Sequence, residues 1–400
     1  MKQHLREIDS RISVLGACAL GTAGVKVFAL LPLLLGTIAE HLQLDDAATG
    51  MVASLYYIAY FVVTLTSVIW IRRANWRVLS MAGGGLMVLG LAGSATFSES
   101  YEGVILGMML SGLGAAVVYA LSVTLVSDMT DKDRRFAIKL IPEQIIPAAL
   151  MFMLPVLVID DFGLKGMLYV LALVIFVLAL LSSGIPVRGR ALTPDKTTKK
   201  AAGASVFIGL GALVVFFAGF AGLWAFTERL AHDALDPVVV GQLLALGLVS
   251  SAAGPFVAAI VGDRWGRITP IITGVVLSLI SMLLLVGQIT TFKFGLLMAV
   301  FPAAYYFSLA YLFGIISDAD ISGRFASLIA SALALGAAVG PGVFGVILNG
   351  NGHNAAYLFA AIMMALGALM FIWMERRLER AHLVSFEGQI EHCPHAEISK

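Results

Sequence analysis

Apolar runs of more than twenty residues recur along the whole chain, separated by short polar segments. A helix needs roughly 20 apolar residues to cross a bilayer core of about 30 Å. Lipid cannot hydrogen-bond to backbone groups, and the runs are too long and continuous for barrel strands, so each run has to form a helix. With 60% hydrophobic and only 13% charged residues, the chain is predicted to be an all-α integral membrane protein rather than a water-soluble one.

Hydropathy predicts twelve spans in two sets of six. They lie at 13–39, 47–71, 78–97, 103–127, 136–159, 166–186, 204–231, 238–261, 269–290, 294–317, 324–349 and 354–374. The polar, Lys-rich segment 187–203 reads as a linker between an N-terminal half, 1–186, and a C-terminal half, 204–374. Residues 375–400 are predicted to form a tail.

The Lys and Arg residues of the loops fall almost entirely on one side of the predicted membrane. The even-numbered loops and both termini carry them, whereas the odd-numbered loops hold only Lys165 and Lys293. The positive-inside rule then places both termini in the cytoplasm, and we expect a multi-pass protein of the plasma membrane. We call the side with the basic loops the basic end.

A short internal repeat supports the division into halves. Asp131, Arg135, Phe136 and Ala137 recur 189 residues later as Asp320, Arg324, Phe325 and Ala326. Each set leads from a loop at the basic end into an odd-numbered span. Parallel six-helix repeats related by an axis along the membrane normal place a solute site between the halves, near the middle of the membrane.

The loop between spans 8 and 9 carries a recognisable motif. Residues 262–267 read Gly-Asp-Arg-Trp-Gly-Arg. This segment resembles the Asp-Arg-x-Gly-Arg signature of the major facilitator superfamily, in which the signature usually stands between spans 2 and 3. The segment 72–77 at that position keeps basic residues but lacks the acidic residue and the glycine. The resemblance implies two six-helix halves that rock about a central site; it does not identify a subfamily.

Charged residues at the basic end are predicted to form latches between the halves. In the arrangement that the resemblance implies, Asp263 faces the start of span 5, while Arg72 faces the start of span 11 near Asp318 and Asp320. The residues assigned to these latches are Arg72, Arg73, Arg77, Arg134, Arg135, Asp263, Arg264, Arg267, Asp320 and Arg324. The alternative interpretation is that they are solvated loop charges.

Charged residues inside spans are the main functional candidates, because burying one in a bilayer costs on the order of 3 kcal/mol. Lys26 lies near the middle of span 1 and is predicted to attract an anionic group of a solute; the alternative is a salt bridge to Glu143. Glu143, in a Pro-rich part of span 5, and Glu228, toward the other end of span 7, are predicted to couple transport to protons.

Aromatic residues of spans 2, 7 and 10 are predicted to line the solute site. The candidates are Tyr56, Tyr60, Phe220, Trp224, Tyr305 and Tyr306. Aromatic pockets favour planar or amphipathic solutes. The alternative is that these rings face lipid or pack helices together.

These observations predict a secondary active transporter for a small organic anion, possibly aromatic in part, driven by protons as the coupling ion. Two alternatives stay open: a proton-antiport exporter of lipophilic compounds, and a transporter-like sensor without net flux. The sequence contains no phosphate-cradling loop and no catalytic or zinc motif, so neither an enzyme, a cofactor nor a metal site is predicted. We expect a monomer in the lipid bilayer, with no nucleic-acid partner.

Overall fold

The computed structural model describes residues 8–44, 46–190, 199–232, 234–320 and 325–391, with only the backbone described at some positions in these ranges. Every regular element in this part of the chain is helical. The helices are α1 Arg11–Ala29, α2 Leu31–Leu42, α3 Asp46–Trp70, α4 Trp76–Thr96, α5 Tyr101–Ser127, α6 Lys132–Leu154, α7 Asp160–Leu181, α8 Lys199–His232, α9 Pro237–Val261, α10 Ile268–Met282, α11 Thr291–Ala319, α12 Ile329–Asn351 and α13 His353–Glu391.

The thirteen helices correspond to the twelve predicted spans, with α1 and α2 sharing the first, and the all-α prediction is confirmed for the described residues. Eleven helices of the described chain are long and apolar enough to cross a bilayer, by length and composition. α3, with 25 residues, supplies the remaining span. α1 and α2 together replace the first predicted span, because the helix breaks at Leu30, just before Pro32 at the first turn of α2.

The helices form two halves of six spans each, as the sequence predicts. α1 to α7 pack mainly on one another, as do α8 to α13. Between the halves, α6 packs against α9 and α11, and α3 packs against α12. The boundaries of the linker stay a prediction, since 191–198 lies outside the described residues.

The turn that carries the motif has the backbone that its glycines predict. Gly262 and Gly266 have φ angles of 56° and 64°, in the left-handed region that favours glycine. The carbonyl of Gly262 accepts a 3.0 Å hydrogen bond from the hydroxyl of Tyr311 on α11. The turn is therefore fixed to the end of α11, on the side where the halves meet.

Candidate functional site

A cavity of about 100 Å³ lies between the two halves. Since one water occupies roughly 10–15 Å³ on this measure, the space holds several waters or a small solute. α1, α3, α5 and α6 line it from one half, and α8, α9, α11 and α12 line it from the other. This is the position at which the internal repeat predicts a solute site.

Stacked rings form the wall contributed by α8 and α11. Phe220 lies nearly parallel to Trp224, with ring centroids 6.0 Å apart, and nearly parallel to Tyr305, with centroids 3.7 Å apart. Phe220 and Trp224 line the cavity, whereas Tyr305 is fully buried and is not among the lining residues. The predicted contact between Tyr305 and the solute is therefore not supported by the position of Tyr305 in this structure.

Tyrosines of α3 form the opposite wall. Tyr56, Tyr57 and Tyr60 all line the cavity, and the rings of Tyr56 and Tyr57 meet edge to face at 5.4 Å. The hydroxyls of Tyr56 and Tyr57 are buried and have no hydrogen-bond partner among the described residues. A buried hydroxyl without a partner is unfavourable, so a polar group of a bound solute would find donors and acceptors here.

A buried ion pair reaches the cavity from α6. Lys139 Nζ donates to Oε1 of Glu143 four residues later, and both side chains are 1% exposed. The ammonium also lies 4.3 Å from the ring centroid of Tyr119. Gly21 of α1 packs directly on the pair, because an added Cβ there would overlap Glu143 Oε1. Glu143 and Tyr119 line the cavity, with Lys139 behind them.

A polar bridge joins the halves beside this pair. The hydroxyl of Ser251 on α9 donates to Oε1 of Gln144 on α6 at 3.1 Å. The hydroxyl of Tyr306 on α11 is hydrogen-bonded to the same amide side chain. All three residues line the cavity. Tyr306 was predicted from its aromatic ring, and the structure adds a polar role for its hydroxyl.

Lys26 lies elsewhere in the N-terminal half. Its side chain is fully buried, its Nζ has no hydrogen-bond partner among the described residues, and it is not part of the cavity wall. The alternative salt bridge between Lys26 and Glu143 is not formed, since Lys139 occupies that position. The side chain of Glu228 lies outside the described residues, so its coupling role stays a prediction.

At the basic end, Arg267 joins the two halves. Its Nε donates to Oδ2 of Asp133, at the start of α6, over 2.8 Å. Its Nη2 pairs with Asp318 at the end of α11, and its Nη1 lies 3.7 Å from Glu375 of α13. Burial disfavours the charged guanidinium, but these carboxylates outweigh that effect and raise the pKa of Arg267 above its ordinary value. Lys132 of α6 also pairs with Asp318, over 2.6 Å.

The structure thus corrects the residue that meets the start of the fifth span. Asp263 was predicted to make this contact, but Asp263 and Arg264 are exposed at the tip of the turn. Asp263 has no ion pair within the described chain. The last residue of the turn, Arg267, contacts Asp133 instead. Arg134 and Arg135, the predicted partners of Asp263, lie next to Asp133 on α6.

The other predicted latch is occupied by a contact inside the N-terminal half. Arg72 donates to both carboxylate oxygens of Asp128, at 2.6 and 2.8 Å. The other two arginines of this loop make no contact with the C-terminal half in the described bonds. Arg73 is exposed, and Arg77 donates to the carbonyl of Ile185 at 2.6 Å. Arg72 was predicted to face Asp318 and Asp320 near the start of the eleventh span, but Asp318 pairs with Lys132 and Arg267 instead. Arg324 lies outside the described residues, so its latch role stays a prediction.

Sequence reasoning missed Lys139, Gln144 and Asp133. Lys139 did have a signal, since Lys and Glu four residues apart share a helix face and commonly pair. Gln144 and Asp133 are bonded to Ser251 and Arg267, which belong to the other half of the protein. The sequence around Gln144 and Asp133 does not reveal such distant partners.

Two helical halves around a partly polar cavity are typical of membrane transporters. A family model described as Major Facilitator Superfamily matches residues 16–227, more than half of the chain. The chain therefore belongs to the Major Facilitator Superfamily, whose proteins are generally transporters rather than enzymes. None of the curated proteins compared by sequence gives a significant match.

Solved structures of this family share the fold. The chain is similar to the E. coli fucose:proton symporter FucP, in its outward conformation, at 14% identity and a TM-score of 0.75 over 92% of this chain and 99% of that one. It is similar to the proton:xylose symporter XylE at 13% identity and a TM-score of 0.71, over 93% and 96% of the two chains. The human organic anion transporter MFSD10 (TETRAN) gives 15% identity and a TM-score of 0.70, over 92% and 99%.

Proposed function

We propose that this protein carries a small organic anion with a ring across the membrane together with a proton, by alternating exposure of the central cavity. The observation that carries the proposal is the position of Glu143, a carboxylate 2% exposed at the wall of the cavity and paired with a buried lysine. A carboxylate in such a place can take up a proton from water in the cavity and release it when the opposite side opens.

The ring of the solute is proposed from the aromatic wall. Phe220, Trp224 and Tyr305 lie nearly parallel, so a flat solute ring can extend the stack from the face that Phe220 and Trp224 present to the cavity. Tyrosine hydroxyls and Gln144 on the facing wall supply hydrogen bonds to a polar group. A solute with an apolar ring and a polar head fits both walls.

The described contacts across the boundary between halves support an outward-facing state. Arg267 with Asp133, Lys132 with Asp318, and Ser67 with Ser327 at 2.7 Å all lie at the basic end. If that end is cytoplasmic, as the loop charges predict, these contacts close the cavity toward the cytoplasm. Uptake by symport is then the favoured direction, and FucP and XylE are proton symporters of the same fold.

The test is uptake into proteoliposomes under an imposed pH gradient, acid outside. The probes are 4-hydroxybenzoate and 3-phenylpropionate, with protein-free liposomes measured in parallel because such acids cross lipid when protonated. We expect gradient-driven accumulation above that blank, and we expect Glu143→Gln to abolish accumulation while retaining exchange. Glu102→Gln, an exposed carboxylate of α5, is the matched control.

Accumulation that is independent of the pH gradient, or that persists in Glu143→Gln, would refute the proton-coupling role of Glu143. Substrate-dependent export against an opposite gradient would favour the exporter alternative. Binding without any flux would favour the sensor.

A further inference from the structure

We infer that Lys139 is the residue that recognises the anion, and that its ammonium exchanges Glu143 for the carboxylate of the solute when Glu143 takes up a proton. This inference rests on the proposed function and adds to it the cation and the charge balance. It transfers to Lys139 the role that the sequence suggested for Lys26.

The geometry leaves the ammonium of Lys139 one anionic partner among the described residues. Its Nζ donates to Glu143 and lies over the face of Tyr119, and the side chain is 1% exposed. The aromatic face stabilises a cation but does not neutralise it. The full compensation of a buried positive charge therefore comes from Glu143.

The other titratable side chains near Glu143 in the described chain are one cysteine and three tyrosines, residue types whose ordinary pKa lies above neutral pH. They are Cys18 of α1, Tyr60 of α3, Tyr119 of α5 and Tyr306 of α11. Lys139, on the same helix, is the cation that acts on Glu143 within the described chain. Protonation of Glu143 consequently leaves one unbalanced charge, and that charge is positive.

The exchange conserves charge. A proton adds to a carboxylate oxygen of Glu143 and makes a neutral acid, which no longer compensates the ammonium. Losing one member of a buried ion pair is strongly unfavourable, so a carboxylate from the cavity has to take its place. The site carries no net charge before, as Lys139 with ionised Glu143, and none after, as Lys139 with neutral Glu143 and the solute anion.

The walls determine the order of events. Leu140, Glu143 and Tyr119 line the cavity, while Lys139 lies behind them. Gly21 closes the opposite side of the pair, because even a methyl group there would overlap Glu143. Glu143 lines the cavity and is bonded to the ammonium, so its carboxyl has to release the ammonium before the anion can take its place.

The test compares ring-bearing carboxylates with their uncharged amides by thermal shift and equilibrium binding to the purified full-length protein. The pairs are 4-hydroxybenzoate with 4-hydroxybenzamide, and 3-phenylpropionate with 3-phenylpropionamide, each at pH 5.5 and pH 8. We expect the wild type to prefer at least one carboxylate over its amide by tenfold or more at pH 5.5, and to lose most of that preference at pH 8.

Variants separate the roles. Lys139→Met should bring the preference down to about one, and Glu143→Gln should keep it and make it independent of pH. The double variant, Lys139→Met with Glu143→Gln, leaves neither member of the pair as an uncompensated buried charge, and it should bind carboxylate and amide alike. Lys26→Met should retain the wild-type preference.

The inference is overturned if no carboxylate is preferred by the wild type, if the double variant keeps the preference, or if Lys26→Met removes it. These results are distinct from a failure of the proposed function. Gradient-driven uptake of the amides would leave proton coupling in place and refute the role of Lys139. An intact anion preference without gradient-driven uptake would refute the coupling alone.

Discussion

Arg267 Nε donates to Asp133 Oδ2 at 2.8 Å and thereby ties the last residue of the motif turn to the first turn of α6 in the other half. The side chains are 20% and 6% exposed, so the contact is largely shielded from water and salt. Together with Lys132 and Asp318 it holds the basic end together, and it has to break before the cavity opens there.

Arg267→Gln is expected to shift the protein toward the state that is open at the basic end. A hydrogen bond to a charged group contributes about 1.5–3 kcal/mol, and 1.4 kcal/mol is about tenfold in an equilibrium. We therefore expect a population change of roughly tenfold or more. The measurement is the spin-label distance between exposed positions of the two halves, Arg73→Cys and Trp265→Cys, after Cys18 and Cys393 are replaced by alanine.

The control for this variant is Arg264→Gln, which removes a charge from the same turn at an exposed position. It should leave the distance distribution unchanged. Equal effects of Arg264→Gln and Arg267→Gln would mean that loop charge, rather than the contact with Asp133, sets the distribution.

Gly314→Ala should open the same end without changing any charge. Asp133 Oδ1 packs directly against Gly314 of α11, and an added Cβ would overlap it. Overpacking of this kind costs about 1–3 kcal/mol, so the spin-label distance should shift in the direction seen for Arg267→Gln. Gly85→Ala on α4, where an added Cβ meets open space, should have no such effect. An unchanged distance in Gly314→Ala would mean that the Asp133 side chain shifts locally and makes room for the methyl group.

Asp128→Asn is expected to lower stability and leave the distribution of states alone. Asp128 is 2% exposed, and its bonds to Arg72 and to the N–H of Arg190 stay outside the C-terminal half. Removing one member of a buried pair costs about 3–5 kcal/mol. The melting temperature in detergent should fall, while the spin-label distance stays that of the wild type. A changed distance would give this pair a gating role as well.

Phe220→Leu should weaken binding of ring-bearing solutes more than binding of aliphatic ones. An aromatic pair contributes about 0.5–1.5 kcal/mol beyond its buried area, which corresponds to roughly a two- to tenfold rise in Kd. The measurement compares 3-phenylpropionate with hexanoate in the same variant. Phe176→Leu, on the exposed face of α7, is the control. An equal loss for both solutes would indicate a damaged cavity rather than a lost ring contact.

The spans were predictable because hydropathy depends on composition, and α9 at Pro237–Val261 matches the predicted 238–261 almost residue for residue. The break at Leu30 was not predicted, since the apolar run continues through it. The positive φ angles of Gly262 and Gly266 followed from the residue type itself.

The site was only partly predictable, because the rotation of each helix about its axis is fixed by packing. Glu143 was expected in an apolar setting, and the structure buries it but pairs it with Lys139. Hydropathy does not indicate that Lys26 lies outside the cavity wall while Lys139 pairs with a residue of that wall. Likewise the turn was expected to contact the start of the fifth span. Whether Asp263 or Arg267 makes that contact depends on where Asp133 lies, and Gly314 of another helix fixes that position.

If the proposed proton coupling holds, the pairing of Lys139 with Glu143 also affects how well the cell keeps its proton gradient. A carrier that reoriented after taking up a proton alone would dissipate that gradient with no nutrient gained. Here, a proton on Glu143 without a bound anion would leave the ammonium of Lys139 uncompensated inside the membrane, which is energetically unfavourable. The same pair, left intact, lets the empty protein reset without carrying charge. Under the proposed coupling, the resting site itself would oppose a proton leak.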